Sequence, residues 1–177
     1  MPITREQARA EALVSAPAGV IVFETVEIWH PTFIVNGGVA PLRIVNAPEN
    51  LTARLESTAP RNPSELVVFL ASAFRILTPA ITESSIGSGT IEASNISHQL
   101  SSMLESIDTV FDPVQLIFRE YLSNDLSAPS KIDLNYTIDS ISISENTVSA
   151  SLSIENLAAR RVPNRVYNAI EFPALET

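Results

Sequence analysis

The sequence predicts a mainly β fold: an antiparallel β-sandwich or barrel with one packed α-helix and a short helix at the N-terminus. Three observations carry this. Between 148 and 154, Val148, Ala150, Leu152 and Ile154 alternate with Ser149, Ser151 and Ser153, the period of two that gives a strand one core face and one polar face. Short runs rich in β-branched and aromatic residues are separated by turn formers such as His30-Pro31 and Asn36-Gly37-Gly38, the spacing of sandwiches and barrels. Strands do not alternate with helices, which excludes a doubly wound parallel sheet. At 177 residues the chain is one domain with arms. Residues 1–19 read as a helical arm, 20–156 as a β domain with a helix near 95–107, and 157–177 as a C-terminal arm.

The first element is a helix. Thr4 is a good N-cap, Gln7 completes a capping box, and Glu6 lies where the macrodipole favours an acid. Ala8, Ala12, Leu13 and Ala16 form only a weak apolar stripe before Pro17 ends the helix, so it needs a docking partner, the body or a neighbouring subunit. Val20 to Trp29 reads as a strand apolar on both faces, hence central or covered twice. Thr32–Val35 and Leu42–Val45 flank the Asn-Gly turn and read as a hairpin. The polar stretch with Pro48, Pro60 and Pro63 reads as a surface loop. Leu66 to Leu77 is apolar, with Val68, Leu70 and Phe74 expected inside and a bend at Ala71-Ser72-Ala73.

A small, Gly- and Ser-rich segment, 84–89, precedes a short strand at Thr90–Ala93. Asn95 then caps a helix whose Ile96, Leu100, Met103, Leu104 and Ile107 form an apolar stripe. Val114, Leu116 and Phe118 begin the next strand, and Ser123–Ser130 is a loop. Ile138, Ile141 and Ile143 lead through Glu145-Asn146 into the alternating strand described above. The sum is about eight strands.

Composition mainly removes functions. No Cys is present, which excludes disulfides, thiolate metal sites and a Cys nucleophile. Twenty acids against eleven bases, net charge -9, argue against nucleic-acid wrapping, where Lys and Arg must neutralise phosphates. All but one of the bases are Arg, with Lys131 the exception; Arg is favoured over Lys at interfaces. The N-terminus lacks the apolar run of a secretory signal, and no stretch approaches a membrane span, so a soluble chain made in a cytoplasm is expected. Gly87-Ser88-Gly89 lacks the Lys of a phosphate loop. His30 stands before Pro31 at a strand end and His98 on the polar face of the second helix; both read as solvated or interface residues. No catalytic, cofactor-binding or metal-ligating residue is assigned, and no cofactor or enzymatic activity is expected.

An ordered set of segments resembles a known family. Val22 to Pro31 opens the set, and Arg43-Ile44-Val45-Asn46 follows. Next come Phe69-Leu70-Ala71-Ser72-Ala73-Phe74 and Ile91-Glu92-Ala93-Ser94-Asn95-Ile96, then Val114 to Glu120. Pro163-Asn164-Arg165-Val166-Tyr167 and Phe172-Pro173-Ala174-Leu175 close it. From about Ala8 onward the chain resembles small tail-tip proteins of long-tailed bacteriophages, a phage domain of unknown function similar to the N-terminal part of the lambda-type minor tail protein L. The stretch from Glu49 to Leu66 departs from that pattern. The resemblance implies a tail-tube-like β fold without enzymatic activity or cofactor. It also implies a structural place in the virion, as a ring of six or three copies. Such a ring would sit between the tail tube and the hub or fibre proteins, with genomic DNA as passing cargo.

Within that reading, Arg160, Arg161 and Arg165 are candidates for pairing with acids of a neighbour, and Phe172 and Leu175 for anchoring the C-terminus in a groove. A receptor- or carbohydrate-binding β-sandwich of the tail tip is the alternative, with exposed aromatics on a concave surface as its mark. A carboxylate-dependent hydrolase is a third reading, marked by two close carboxylates in a cleft.

Overall fold

The computed structural model describes residues 4–15, 19–35, 37–78, 88–94, 113–144 and 147–154. The fold is mainly β, with one described helix, α1 (Arg5–Ser15). The capping box forms as the sequence predicts: the Thr4 N–H donates to Gln7 Oε1 (3.0 Å), and the Gln7 N–H donates to Thr4 Oγ1 (3.3 Å). The helix docks on its own body through ion pairs. Arg5 Nε bonds Asp125 (3.0 Å), and Arg9 pairs with Glu120, while Val14 is 87% exposed.

Eleven strands follow among the described residues: β1 (Val22–Trp29), β2 (Ile34–Val35), β3 (Gly38–Val39), β4 (Leu42–Val45), β5 (Leu51–Arg54), β6 (Leu66–Ala71), β7 (Phe74–Leu77), β8 (Gly89–Ser94), β9 (Val114–Leu122), β10 (Lys131–Ile143) and β11 (Thr147–Ile154). Nine form one sheet in the order β5-β6-β4-β1-β9-β10-β11-β8-β7, and β2–β3 is a separate ribbon. β1 is central, as its doubly apolar pattern predicts. It pairs antiparallel with β4 on one side and β9 on the other. Among the described residues every pairing is antiparallel except β4–β6, which is parallel over Ile44↔Leu70 and Val45↔Ala71.

The sandwich-or-barrel expectation resolves into one curled, open sheet. Ile28 on β1 lines the same cavity, about 20 Å³, as Ile91 and Ala93 on β8. Four steps separate these strands in the sheet order, roughly 19 Å if the sheet were flat. The sheet therefore curls over its inner face. Among the described residues no ladder joins the edge strands β5 and β7, so the curl does not close. The inner core runs from Leu42 and Ile44 through Val26, Leu116 and Tyr136 to Leu152 and Phe74. A second core lies on the outer face at the β5–β6 end, around Leu55, Ala59, Phe69 and Tyr121. Phe69 and Tyr121 meet ring to ring at 5.9 Å.

Four local expectations are corrected. The Asn-Gly hairpin is only the β2–β3 ribbon; Leu42–Val45 instead joins β1, where burial on both sides outweighs the local turn preference. The polar stretch after Pro48 is not simply a surface loop. It contains β5 and buries Leu55 (1% exposed) and Ala59 (6%). In β6 the phase is reversed: Val67 and Phe69 are buried, while Val68 and Leu70 are exposed. The apolar run Leu66–Leu70 has no alternation from which the sequence could choose a face. His30 is fully buried rather than solvated, with the Thr32 N–H donating to its Nδ1 (3.3 Å) and its ring 5.8 Å from Phe33. Phe74 is buried as expected. The three-residue step from Ile138 to Ile141 has its cause in a bulge between Ile138 and Ser140, which restores the phase. The predicted helix at 95–107, His98, and the 157–177 arm lie outside the described residues.

Candidate interaction surface

Alternation along three neighbouring strands turns charged side chains onto the outer face. Val26 and Ile28 point to the inner core, so Glu27 points out. By the same rule Arg43 leaves β4 outward between Leu42 and Ile44, and Arg119 leaves β9 next to Phe118. Glu27 faces Arg43 across the β1–β4 ladder. The segment 55–65 then crosses this face and adds Glu56, Arg61 and Asn62.

The result is a buried ionic cluster. Arg119, without exposed surface, holds Glu56 through Nε (2.9 and 3.2 Å) and Nη2 (2.8 Å), and its Nη1 lies 3.4 Å from Glu27 Oε2. Arg43 Nε donates to Glu27 Oε2 (3.0 Å), and its Nη2 to Asn62 Oδ1 (2.9 Å). Arg61 stacks on Trp29 at 3.8 Å and donates to Gln115 Oε1 (2.7 Å). Burial pulls the Arg61 guanidinium below its usual value, and the nearby Glu27 works against that pull. Arg61 Nη1 and Glu27 Oε1 lie 3.8 Å apart, buried and without a hydrogen bond.

Both carboxylates of the cluster are held by guanidinium groups, and Glu27 has no exposed side-chain surface. Chemically, the arrangement clamps the 55–65 segment to the sheet, because lifting it would strand a buried charge. Asn62 (φ 54°) and Ser64 (φ 60°) turn that segment through left-handed backbone. Among the described residues no three His, Asp or Glu side chains gather as a metal site.

The clamp sits beside an open groove of about 380 Å³ between β4 and β6, where Pro41, Leu42 and Arg43 face Val67, Val68 and Leu70. Its geometry follows from register. Leu55 N–H bonds Glu65 C=O (2.9 Å), so Val67 and Phe69 bond toward β5 while Leu66 and Val68 turn their peptide groups toward β4. Asn46 N–H bonds Glu24 C=O (2.9 Å), so Arg43 turns its own peptide groups toward β6. Yet the β4–β6 ladder spans only Ile44–Leu70 and Val45–Ala71. Toward the N-terminal ends of both strands they splay, and the groove fills the split. Within it, Val68 (52%) and Leu70 (39%) on β6 are exposed, and Leu66 (61%) lies on the same strand face. That is an aliphatic patch along the β6 side of the cleft.

The interface residues expected from sequence, Arg160, Arg161, Arg165, Phe172 and Leu175, lie outside the described residues. The clamp was not anticipated. Its trace in the sequence is charge inside strand-forming runs: Glu27 before Ile28-Trp29, Arg43 between Leu42 and Ile44, and Arg119 after Phe118.

A family model described as a domain of unknown function (DUF1833) matches residues 8–167. The chain belongs to the DUF1833 family. The match takes in α1 from Ala8 onward, the whole described sheet and the clamp, so these are parts of the family's domain rather than appendages. No curated protein matches the chain.

Proposed function

We propose that this DUF1833 chain is a structural subunit of a bacteriophage tail tip. In the virion it forms a ring, of six or three copies, between the tail tube and the hub or fibres, and DNA passes through the ring's channel. The observation that carries an assembly role is the groove with its exposed aliphatic rim. An apolar patch of this kind around a cleft marks a protein–protein contact. The ordered segments resembling tail-tip proteins support the phage context. The net charge of -9 supports a lumen that repels the DNA backbone and lets it slide. A sugar-binding role is less well supported. The exposed large apolar side chains among the described residues are all aliphatic, and Trp29 is stacked under Arg61.

The test is electron microscopy of virions combined with mass measurement of the purified chain. The expected result is a closed ring at the distal end of the tail tube. A stable monomer that is absent from purified virions overturns the proposal.

A further inference from the structure

Ion pairs hold two segments onto the sheet, and the two differ in what opening them costs. In the clamp, Arg119 and Glu27 have no exposed side-chain surface, so lifting the 55–65 segment strands charge in the sheet. The contacts of α1 are built otherwise. Arg9 forks onto Glu120 of β9, with Nη2 donating to Oε1 (2.9 Å) and Nε to Oε2. Arg5 donates to Asp125 (3.0 Å) and to Ser127 Oγ (2.9 Å). In both pairs the base is on the helix and the acid on the body.

Separating α1 strands no charge. Glu120 shares a face of β9 with Phe118. Lys131 Nζ lies over the Phe118 ring at 5.5 Å, 3.9 Å from Glu120 Oε1 and 2.7 Å from Asp133. Glu120 therefore keeps a cation when Arg9 leaves, and water reaches the side that α1 covered. The Arg5 and Asp125 side chains are already 50% and 39% exposed. Few of the described side chains of α1 are covered: Ala8 and Arg9 are half-buried, whereas Glu6, Gln7, Ala10, Glu11 and Val14 are exposed. Between α1 and β1 the chain turns at Gly19 (φ +104°), with open space where a side chain would stand. It is then pinned to the body. The Ser123 N–H donates to the Ile21 C=O (2.8 Å), and the Ile21 N–H to Ser123 Oγ (3.0 Å). Loss of α1 therefore stops short of β1.

We infer that α1 is a salt-released arm, latched by Arg9–Glu120 and Arg5–Asp125, which undocks as ionic strength rises while the sheet stays folded. Exposed ion pairs contribute little each, and the Debye length falls from about 10 Å at 0.1 M salt to about 3 Å at 1 M. At 11 residues α1 is marginal as an isolated helix, so release and unfolding of the arm are one event. Docked, the arm neutralises Glu120 and Asp125; released, it bares both acids. The latch does not depend on the tail-tip reading.

Hydrogen exchange of the full-length protein, followed by mass spectrometry, reads the arm and the sheet separately. The Ala8 N–H bonds the Thr4 C=O (2.9 Å) and opens the run of helical amides. Between about 0.02 M and 1 M NaCl their protection should fall about tenfold, with the amides of β1 and β9 unchanged. A fall smaller than about threefold overturns the inference, and so does a fall shared equally by β1 and β9, which is global unfolding. Arg9→Gln should reproduce the fall in low salt and leave a smaller response to added salt. Full protection in Arg9→Gln overturns the inference, because packing then holds the helix. Arg9→Lys keeps the charge and should restore part of the protection and of the salt response. An Arg9→Lys variant no better protected than Arg9→Gln in low salt overturns the inference as well.

Discussion

Arg119→Met probes the clamp most directly. Arg119 is fully buried, and its guanidinium makes three contacts of 2.8–3.2 Å to Glu56. Met keeps an unbranched apolar stem of similar reach, so packing changes little and the charge is what goes. Glu56, with a side chain only 10% exposed, then loses its partner; breaking a buried pair costs about 3–5 kcal/mol. The lower end applies, because Glu27 keeps Arg43 at 3.0 Å and Glu56 reaches water if the 55–65 segment lifts. For a domain of this size, about 3 kcal/mol lowers Tm by roughly 6–12 °C. Thermal unfolding followed by circular dichroism measures this. Trp29, the only Trp, lies under Arg61 on the same segment, so its emission should shift to longer wavelength in the folded variant. Replacing both partners, Arg119→Met with Glu56→Leu, should recover most of the loss, since an apolar pair leaves no stranded charge. A loss below about 0.5 kcal/mol for the single variant, or a double variant that costs the sum of the two singles, refutes the clamp.

Burial, with Asp133 nearby, pushes Tyr136 up to about 12, and burial raises Tyr121 as well. The folded state therefore favours the neutral phenols. Their stabilisation is complete below the ordinary value near 10 and is lost as pH rises toward about 12. A phenolate absorbance titration should show both tyrosines ionising late in the native protein and near 10 in urea; native ionisation near 10 contradicts this. Hydrogen bonds from Ser127, and then from Arg5, hold the Asp125 carboxyl below its usual value. Its contribution to docking α1 is thus present above about pH 4 and fades as pH falls through the lowered folded value. Carboxyl NMR should find Asp125 raised more by Ser127→Ala than by Arg5→Ala. Gly37 sits at φ +82° with open space around it, whereas Gly38 has equal space and no positive φ. Gly37→Ala should therefore cost about 1 kcal/mol and Gly38→Ala much less, measured by urea unfolding.

The sequence was most informative where a single strand's pattern is decided locally. The capping box of α1 is read from Thr4 and Gln7 alone, because both partners lie within one turn. The β10–β11 hairpin is read from Ser alternation, because one face meets water. The central place of β1 is read from apolar residues on both of its faces. The position of the clamp was not legible, since Glu27, Arg43, Glu56, Arg61 and Arg119 are scattered over more than ninety residues and meet only through the strand order. Local pattern gave no phase for Leu66–Leu70 either, because every residue in that run is apolar. The β5–β6 pairing and the second core decide it by burying Val67 and Phe69, which leaves Val68 and Leu70 on the open face.

A β-rich, acidic, Cys-free chain with a capped N-terminal helix was therefore determined by sequence alone, since composition and short-range periodicity depend on near neighbours. Tertiary structure decided the parallel β4–β6 join, the buried charges above it and the groove beside it. Each depends on which distant strands lie next to one another. Side-chain burial between distant strands makes that choice, since the backbone offers the same hydrogen bonds to any partner, and it leaves no periodic mark along the chain.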